Sequence, residues 1–304
     1  MRIVYLGSSG FAAAVLEELA AGPHRPLLVI TPPDRPRGRG RKLAPPPAAA
    51  AAAGLGIELM QTADVNEPES RRRLLATGVE VGVVCAFGQL IGAELLAAIE
   101  LLNLHPSLLP RWRGAAPIER AIMAGDEVTG ACVMRVTAGL DAGPVAARES
   151  TPIGAAEDYG SLAGRLAGIG ARLLAGTLDL RATGTLELVD QAAAGLTYAE
   201  RIGPAERRID PGAGARAEAL RIRALTPHIG AFVELAGGSR LGVRDPVVRA
   251  SGPAPGELAS AGDALVLGCR AGALEIGSVQ PPGRRWMSAG DYLRGHGLPA
   301  AAEP

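Results

Sequence analysis

Lysine is nearly absent. Lys42 is the only one among 31 basic residues, so the positive charge of this chain is almost all arginine. With 41 glycines, 24 prolines and many alanines, the composition reflects the mutational bias of a GC-rich genome, and arginine by itself is weak support for phosphate binding. Net charge is missing too, because 31 acidic residues balance the basic ones. A protein that coats nucleic acid wholesale is strongly basic, so any such contact here falls to a local patch. Cysteine is sparse: Cys85, Cys132 and Cys269 are odd in number, far apart and set in apolar stretches. They read as reduced core thiols, not as a disulfide framework or a metal site. No apolar run reaches the roughly 18–20 residues that span a bilayer. Met1 leads straight into a strand-like segment with no charged leader, which a secretory signal would need. The expectation is a soluble, cytoplasmic protein with no membrane contact.

Several motifs are also lacking. There is no G-x-S-x-G nucleophile elbow and no G-x-x-x-x-G-K-[ST] phosphate loop, which removes two large enzyme classes. "GSSG" at 7–10 lacks the G-x-G-x-x-G spacing, so a tight turn between strand and helix is its expected role and a dinucleotide-dependent oxidoreductase is disfavoured. No paired His or Cys spacing suggests a metal.

At 304 residues, with 48% hydrophobic and 20% charged residues, the chain has a globular balance and exceeds one compact domain, which predicts two. "MRIVYLG", "PLLVIT", "IELMQ", "VEVGVVCAF", "LLNLH" and "ACVMRV" read as strands, and "FAAAVLEELAAG", "GAELLAAI" and residues 117–124 as helices. "PPPAAAAAAG" at 45–54 reads as a helix with prolines at its start. Strands alternating with helices predict an α/β fold, a Rossmann-like, doubly wound and mostly parallel sheet. A long helix closes this part by about residue 180. The expected domains are 1–188, a linker at 189–205, and 206–304, a small OB-like β-barrel. There "FVELAGGSRLGV" suggests a Gly-Gly hairpin and "SAGD" a helix capped by Ser288.

"NLHPSLLPRWRG", residues 103–114, stands out because it holds one of only four histidines at the exit of an apolar run. Asn103 and His105 lie two apart, so on a strand both side chains point the same way. An amide and an imidazole together can hold a carbonyl oxygen as it becomes negative. A carboxylate beside a histidine favours its charged form, and Asp141 in "GLDAGP" is the candidate. With no serine or cysteine in a nucleophile motif, such a trio suits transfer of an acyl group to a nucleophile brought by the substrate. On residues alone, His105 can also be a structural turn residue and "LDAG" an Asx-type turn. "PPDRPRGRGRKLAPPP" at 32–47 carries Arg35, Arg37, Arg39, Arg41 and Lys42 against the single acid Asp34. Its glycines and prolines predict an irregular loop, either folding around a phosphate backbone or simply solvated.

"NLHPSLLPRWRGAAPIERAIMAGD" closely resembles the signature of the formyltetrahydrofolate-dependent formyltransferases. With "TPPDRPRGRGRKL" after the second strand, the chain is similar to the members of that family that act on initiator methionyl-tRNA. "GFAAAVLEEL", "GLDAGPV", "TYAERI" and "PPGRRWMSAGDYL" extend the resemblance nearly end to end. The resemblance implies a Rossmann-like catalytic domain followed by an OB-like one. It implies that Asn103 and His105 hold the formyl oxygen while Asp141 supports His105 and handles the proton. Ser107, Leu108, Leu109 and Pro110 would line the folate site, with Phe87 to Ile91 contributing to the pterin pocket. Arg35, Arg37, Arg39, Arg41 and Lys42 would grip the acceptor arm of the tRNA, Arg39 matching the family's key arginine. The implied cosubstrate is 10-formyltetrahydrofolate, the implied partner is initiator methionyl-tRNA, and neither a metal nor an obligate protein partner is expected. The same trio would serve formylation of an amino sugar or another small amine, and a non-catalytic folate- or RNA-binding regulator is the reading from a different class.

Overall fold

A computed structural model of the chain describes residues 1–37 and 40–300. They divide into two compact units, one of residues 1–117, 128–152 and 163–200, the other of 118–127, 153–162 and 201–304. The first unit is built on β1 (Ile3–Gly7), α1 (Gly10–Ala21), β2 (Leu28–Thr31), β3 (Arg35–Arg37), β4 (Lys42–Ala44), α2 (Pro47–Leu55) and β5 (Glu58–Gln61). It continues through α3 (Pro68–Ala76), β6 (Val81–Cys85), α4 (Ala93–Ala98), β7 (Leu101–His105) and β8 (Arg113–Gly114). After α5 (Pro117–Ala124) come β9 (Val128–Arg135), β10 (Val145–Pro152), α6 (Tyr159–Ala182) and β11 (Tyr198–Ala199).

Seven strands form one sheet in the order β10-β9-β7-β6-β1-β2-β5. The five from β7 to β5 are parallel, β9 runs antiparallel to β7, and β10 runs antiparallel to β9. Chain order reverses at β1, which has β6 on one side and β2 on the other, so this is a doubly wound sheet with its switch point beside β6. Every residue of β1, β6 and β7 is buried, as strands covered on both faces require. Helix α6 covers β7 closely: a Cβ at Gly170 would stand 2.6 Å from Leu104 Cδ2. Alternation along β7 therefore sends Leu104 toward α6 and leaves Asn103 and His105 on the opposite face. The "GSSG" turn does what a turn there should, for the Ser9 hydroxyl accepts the Ala12 N–H at 3.1 Å and caps α1. Such a cap contributes about 1 kcal/mol.

The arginine-rich segment differs from expectation. It is a hairpin, with β3 pairing antiparallel to β4 through Arg35↔Ala44, Pro36↔Leu43 and Arg37↔Lys42. A proline and the residue before it favour extended backbone, and a two-stranded ribbon leaves edges where the missing N–H of Pro36 costs nothing. Proline thus shaped this segment instead of breaking it.

The second unit contains α7 (Ala215–Leu225), β12 (Ala231–Glu234), β13 (Arg240–Arg249), β14 (Leu258–Ala261), β15 (Ala264–Gly268), β16 (Ala273–Gln280), β17 (Met287–Ser288) and α8 (Ala289–His296). Its strands pair antiparallel in the order β12-β13-β16-β15-β14, with β17 on β16. Gly237 and Gly238 turn the β12–β13 hairpin with φ of +81° and +79°, a conformation that glycine adopts without steric cost. Ile222, Leu225, Val243, Leu267, Leu274 and Ile276 make its separate core. The Ser288 hydroxyl accepts the Asp291 N–H and caps α8. Among the described residues, no helix is long and apolar enough to cross a membrane.

Candidate active site

β7 carries two buried polar side chains on one face. Asn103 is 9% exposed and His105 4%. Their ladder neighbours on β9 are Met134 and Cys132. Because β9 runs antiparallel to β7, the 136–144 connection starts beside Leu101, whose carbonyl accepts the Val136 N–H at 2.8 Å. The connection then folds back across the sheet, with Asp141 at φ +44°. That left-handed backbone is unfavourable for most L-residues and is more tolerable for aspartate.

The fold-back brings together the three residues that lie far apart in sequence. Asp141 Oδ2 lies 3.6 Å from His105 Nδ1, and its Oδ1 accepts from Asn103 Nδ2 at 3.4 Å. The backbone N–H of Gly114 donates to Oδ2 at 2.8 Å, which fixes the carboxylate. On the far side of the ring, His105 Nε2 lies 2.8 Å from the Trp112 carbonyl oxygen. That oxygen can only accept, so Nε2 carries a hydrogen. Contacts of 3.4 and 3.6 Å are looser than a firm hydrogen bond, as catalytic contacts commonly are before the reacting group arrives.

The other anticipated residues fall into distinct places. Ser107 is fully buried, and its hydroxyl donates to the Arg111 carbonyl at 2.6 Å. Leu109 is buried with Cys132, Met134 and Val145, while Leu108 and Pro110 are half-buried. Phe87 belongs to the sheet core and Leu90 is 86% exposed. Arg35, Arg41 and Lys42 are exposed on the hairpin. Arg37 contributes its backbone to β3, and Arg39 lies outside the described residues.

Nucleophiles are poorly placed for attack. Burial pushes the Cys85 thiol up to about 12 and also raises Cys132, the ladder neighbour of His105. A protonated buried thiol is inert.

Sequence reasoning missed one group of residues. Gln191 donates from Nε2 to the carbonyls of Asp141 and Gly143, both at 2.8 Å, and accepts from Arg113 through Oε1. Thr197 accepts the Trp112 N–H at 2.9 Å. Both sit in a stretch with neither helical nor strand periodicity, where a lone polar residue gives no sign of its partner.

The fold is Rossmann-like α/β, and β7 together with the 136–144 connection groups an amide, an imidazole and a carboxylate in one place. A family model described as formyl transferase matches residues 1–178, and one described as formyl transferase, C-terminal domain, matches residues 201–297. The methionyl-tRNA formyltransferase of Cereibacter sphaeroides is 43% identical over 301 residues, covering 98% of this chain and 97% of that protein. The methionyl-tRNA formyltransferase of Methylococcus capsulatus is 42% identical over 301 residues, covering 98% of each. Among solved structures, the sugar 3N-formyl transferase WlaRD superposes with a TM-score of 0.67 at 15% identity, over 94% of this chain and 99% of that one. HypX from Aquifex aeolicus, in complex with tetrahydrofolic acid, superposes with a TM-score of 0.65 at 16% identity, over 96% of this chain and 47% of that one. This chain belongs to the formyl transferase family.

Proposed function

We propose that this chain transfers the formyl group of 10-formyltetrahydrofolate to the α-amino group of methionyl initiator tRNA, giving formylmethionyl-tRNA and tetrahydrofolate in the cytoplasm. The observation that carries the reading is the convergence of Asn103, His105 and Asp141 on one face of β7. Identities of 43% and 42% to proteins of that activity, over nearly the whole chain, support the choice of acceptor.

The transfer is direct. The neutral α-amine bonds to the formyl carbon, whose oxygen becomes anionic and accepts from Asn103 Nδ2 and from the imidazolium Nδ1–H of His105. Asp141 takes a proton from the attacking nitrogen. As the tetrahedral carbon collapses, its bond to folate N10 breaks and the proton passes to N10. A covalent enzyme intermediate is unnecessary, in keeping with the committed Ser107 hydroxyl and the raised Cys132 thiol. Leu108 and Pro110 offer half-buried apolar surface to the folate, while Ser107 and Leu109 anchor the loop from inside. Arg35, Arg41 and Lys42, together with Arg37 and Arg39 of the same arginine-rich segment, grip the phosphates of the acceptor arm.

The deciding measurement is a single formyl-transfer assay with charged initiator tRNA and 10-formyltetrahydrofolate. Formylmethionyl-tRNA is the expected product. Efficient formylation of a nucleotide-linked amino sugar, with methionyl-tRNA untouched, would replace the tRNA reading by the small-amine one.

A further inference from the structure

We infer that Gln191 is a positioning residue for the transfer: its amide holds the strained 141–143 turn so that the Asp141 carboxylate faces His105 and Asn103. This rests on the reading of Asp141 as the proton-handling group. Asp141 sits at φ +44° in a connection with no regular structure, so its own backbone does not favour the geometry it holds. Gln191 supplies what the turn lacks. Its Nε2 spends both hydrogens on the carbonyls of Asp141 and Gly143, at 2.8 Å each. Its Oε1 accepts from Arg113 Nε at 3.0 Å and Nη2 at 2.7 Å. The next residue, Gly114, donates its N–H to the Asp141 carboxylate. The contacts close a ring: Asp141 is held by its carbonyl through Gln191 and Arg113, and by its side chain through Gly114.

The ring is itself braced at two points. Val189 and Val145 exchange both backbone hydrogen bonds, at 2.8 and 2.9 Å, just upstream of Gln191. Downstream, β11 pairs in parallel with β8. Residues 189–199 are thus a strap that meets the chain beside both connections framing the trio, at Val145 and at β8, and Gln191 is the side chain by which the strap reaches Asp141. Glutamine fits the position by chemistry as well as length. A glutamate would keep the Arg113 contact but turn an anionic oxygen toward two carbonyl oxygens, and an alanine would leave both carbonyls without this donor.

The test compares Gln191→Glu, Gln191→Ala, Asp141→Asn and the double variant Gln191→Ala/Asp141→Asn in steady-state formylation of methionyl-tRNA, with thermal melts on each. Gln191→Glu lowers kcat at least tenfold and leaves KM for both substrates within about twofold. The double variant is no slower than Asp141→Asn alone, because Gln191 acts only through Asp141. Gln191→Glu keeps the side-chain volume and the arginine contact, so it reports even where Gln191→Ala does not fold. A lowered melting temperature with unchanged kcat makes Gln191 a fastener of the strap and nothing more, which overturns the inference. So does a double variant slowed by the product of the single effects. Near-normal turnover in Asp141→Asn would instead remove the carboxylate from the mechanism, and this inference with it.

Discussion

Nδ1 of His105 stands 3.6 Å from Oδ2 of Asp141, while Nε2 of the same ring is committed to the Trp112 carbonyl at 2.8 Å. Nε2 therefore anchors the imidazole, while Nδ1 is only loosely faced by the carboxylate and stays open toward a reacting group. Its orientation depends on two connections that do not belong to its own strand. An oxyanion donor needs that kind of fixed placement, because preorganisation is what makes its hydrogen bond worth more than water's.

Loss of one such donor costs about 10²–10³ in rate. Asn103→Ala, His105→Ala and Asp141→Asn are each expected to lower kcat by at least that factor while still folding. Single-turnover formyl transfer alongside circular dichroism checks this. Near-normal turnover in any variant removes that residue from the roles given above.

If the arginine-rich segment binds the acceptor, as proposed, its charge matters for tRNA and not for folate. Charge reversal at Arg39 and Arg41 is expected to raise KM for methionyl-tRNA by tenfold or more and to leave folate affinity unchanged, since phosphate contacts act on the nucleic acid alone. The dependence of tRNA affinity on salt should also become shallower. Unchanged use of tRNA by the double variant would point to a small-amine acceptor.

How much of this was legible in the sequence follows from where each residue's constraint lies. Asn103 and His105 were readable because strand alternation is local: two positions apart on β7 means one face. Asp141 could be named as a candidate carboxylate, but its approach to His105 could not be read, because it depends on β9 running antiparallel and the apolar pattern of "ACVMRV" does not encode direction. β10 escaped notice since it is an edge strand with mostly exposed residues, from Ala146 to Ser150, and so lacks an apolar signature. Gln191 was invisible for a different reason. Its partners are backbone carbonyls about 50 residues away, and no composition or period marks an amide that serves a distant turn.

The thiols give a probe of the core of each unit. Burial pushes Cys85 up to about 12 and Cys269 up to about 11, and raises Cys132 as well. A thiol reacts as the thiolate. The native protein at pH 8 is therefore expected to release far less than one equivalent of thionitrobenzoate from Ellman's reagent, and all three upon denaturation. Rapid reaction of one thiol in the native state would show that its strand is accessible, and for Cys132 that strand borders His105.

Stability should respond to pH through Glu218, fully buried on α7. Its Oε2 accepts from the Asp210 N–H at 3.3 Å, and Arg221 Nη2 lies 3.3 Å from Oε1, yet Oε1 has no hydrogen-bond partner among the described residues. Burial raises the folded-state pKa above the ordinary carboxylate value, with Arg221 opposing it. A raised folded value means that the group's contribution is fully present below the unfolded pKa, near 4.3, and is lost as pH rises through the folded value. Glu218→Gln keeps the shape and an acceptor while removing the charge. In urea melts the variant is expected to gain on the native protein as pH goes from 4.5 to 8, with the largest gap at pH 8. If the native protein is instead the more stable one at pH 8 and its lead grows with pH, the pairing with Arg221 outweighs the cost of burying the carboxylate, and the sign assigned to this residue is wrong.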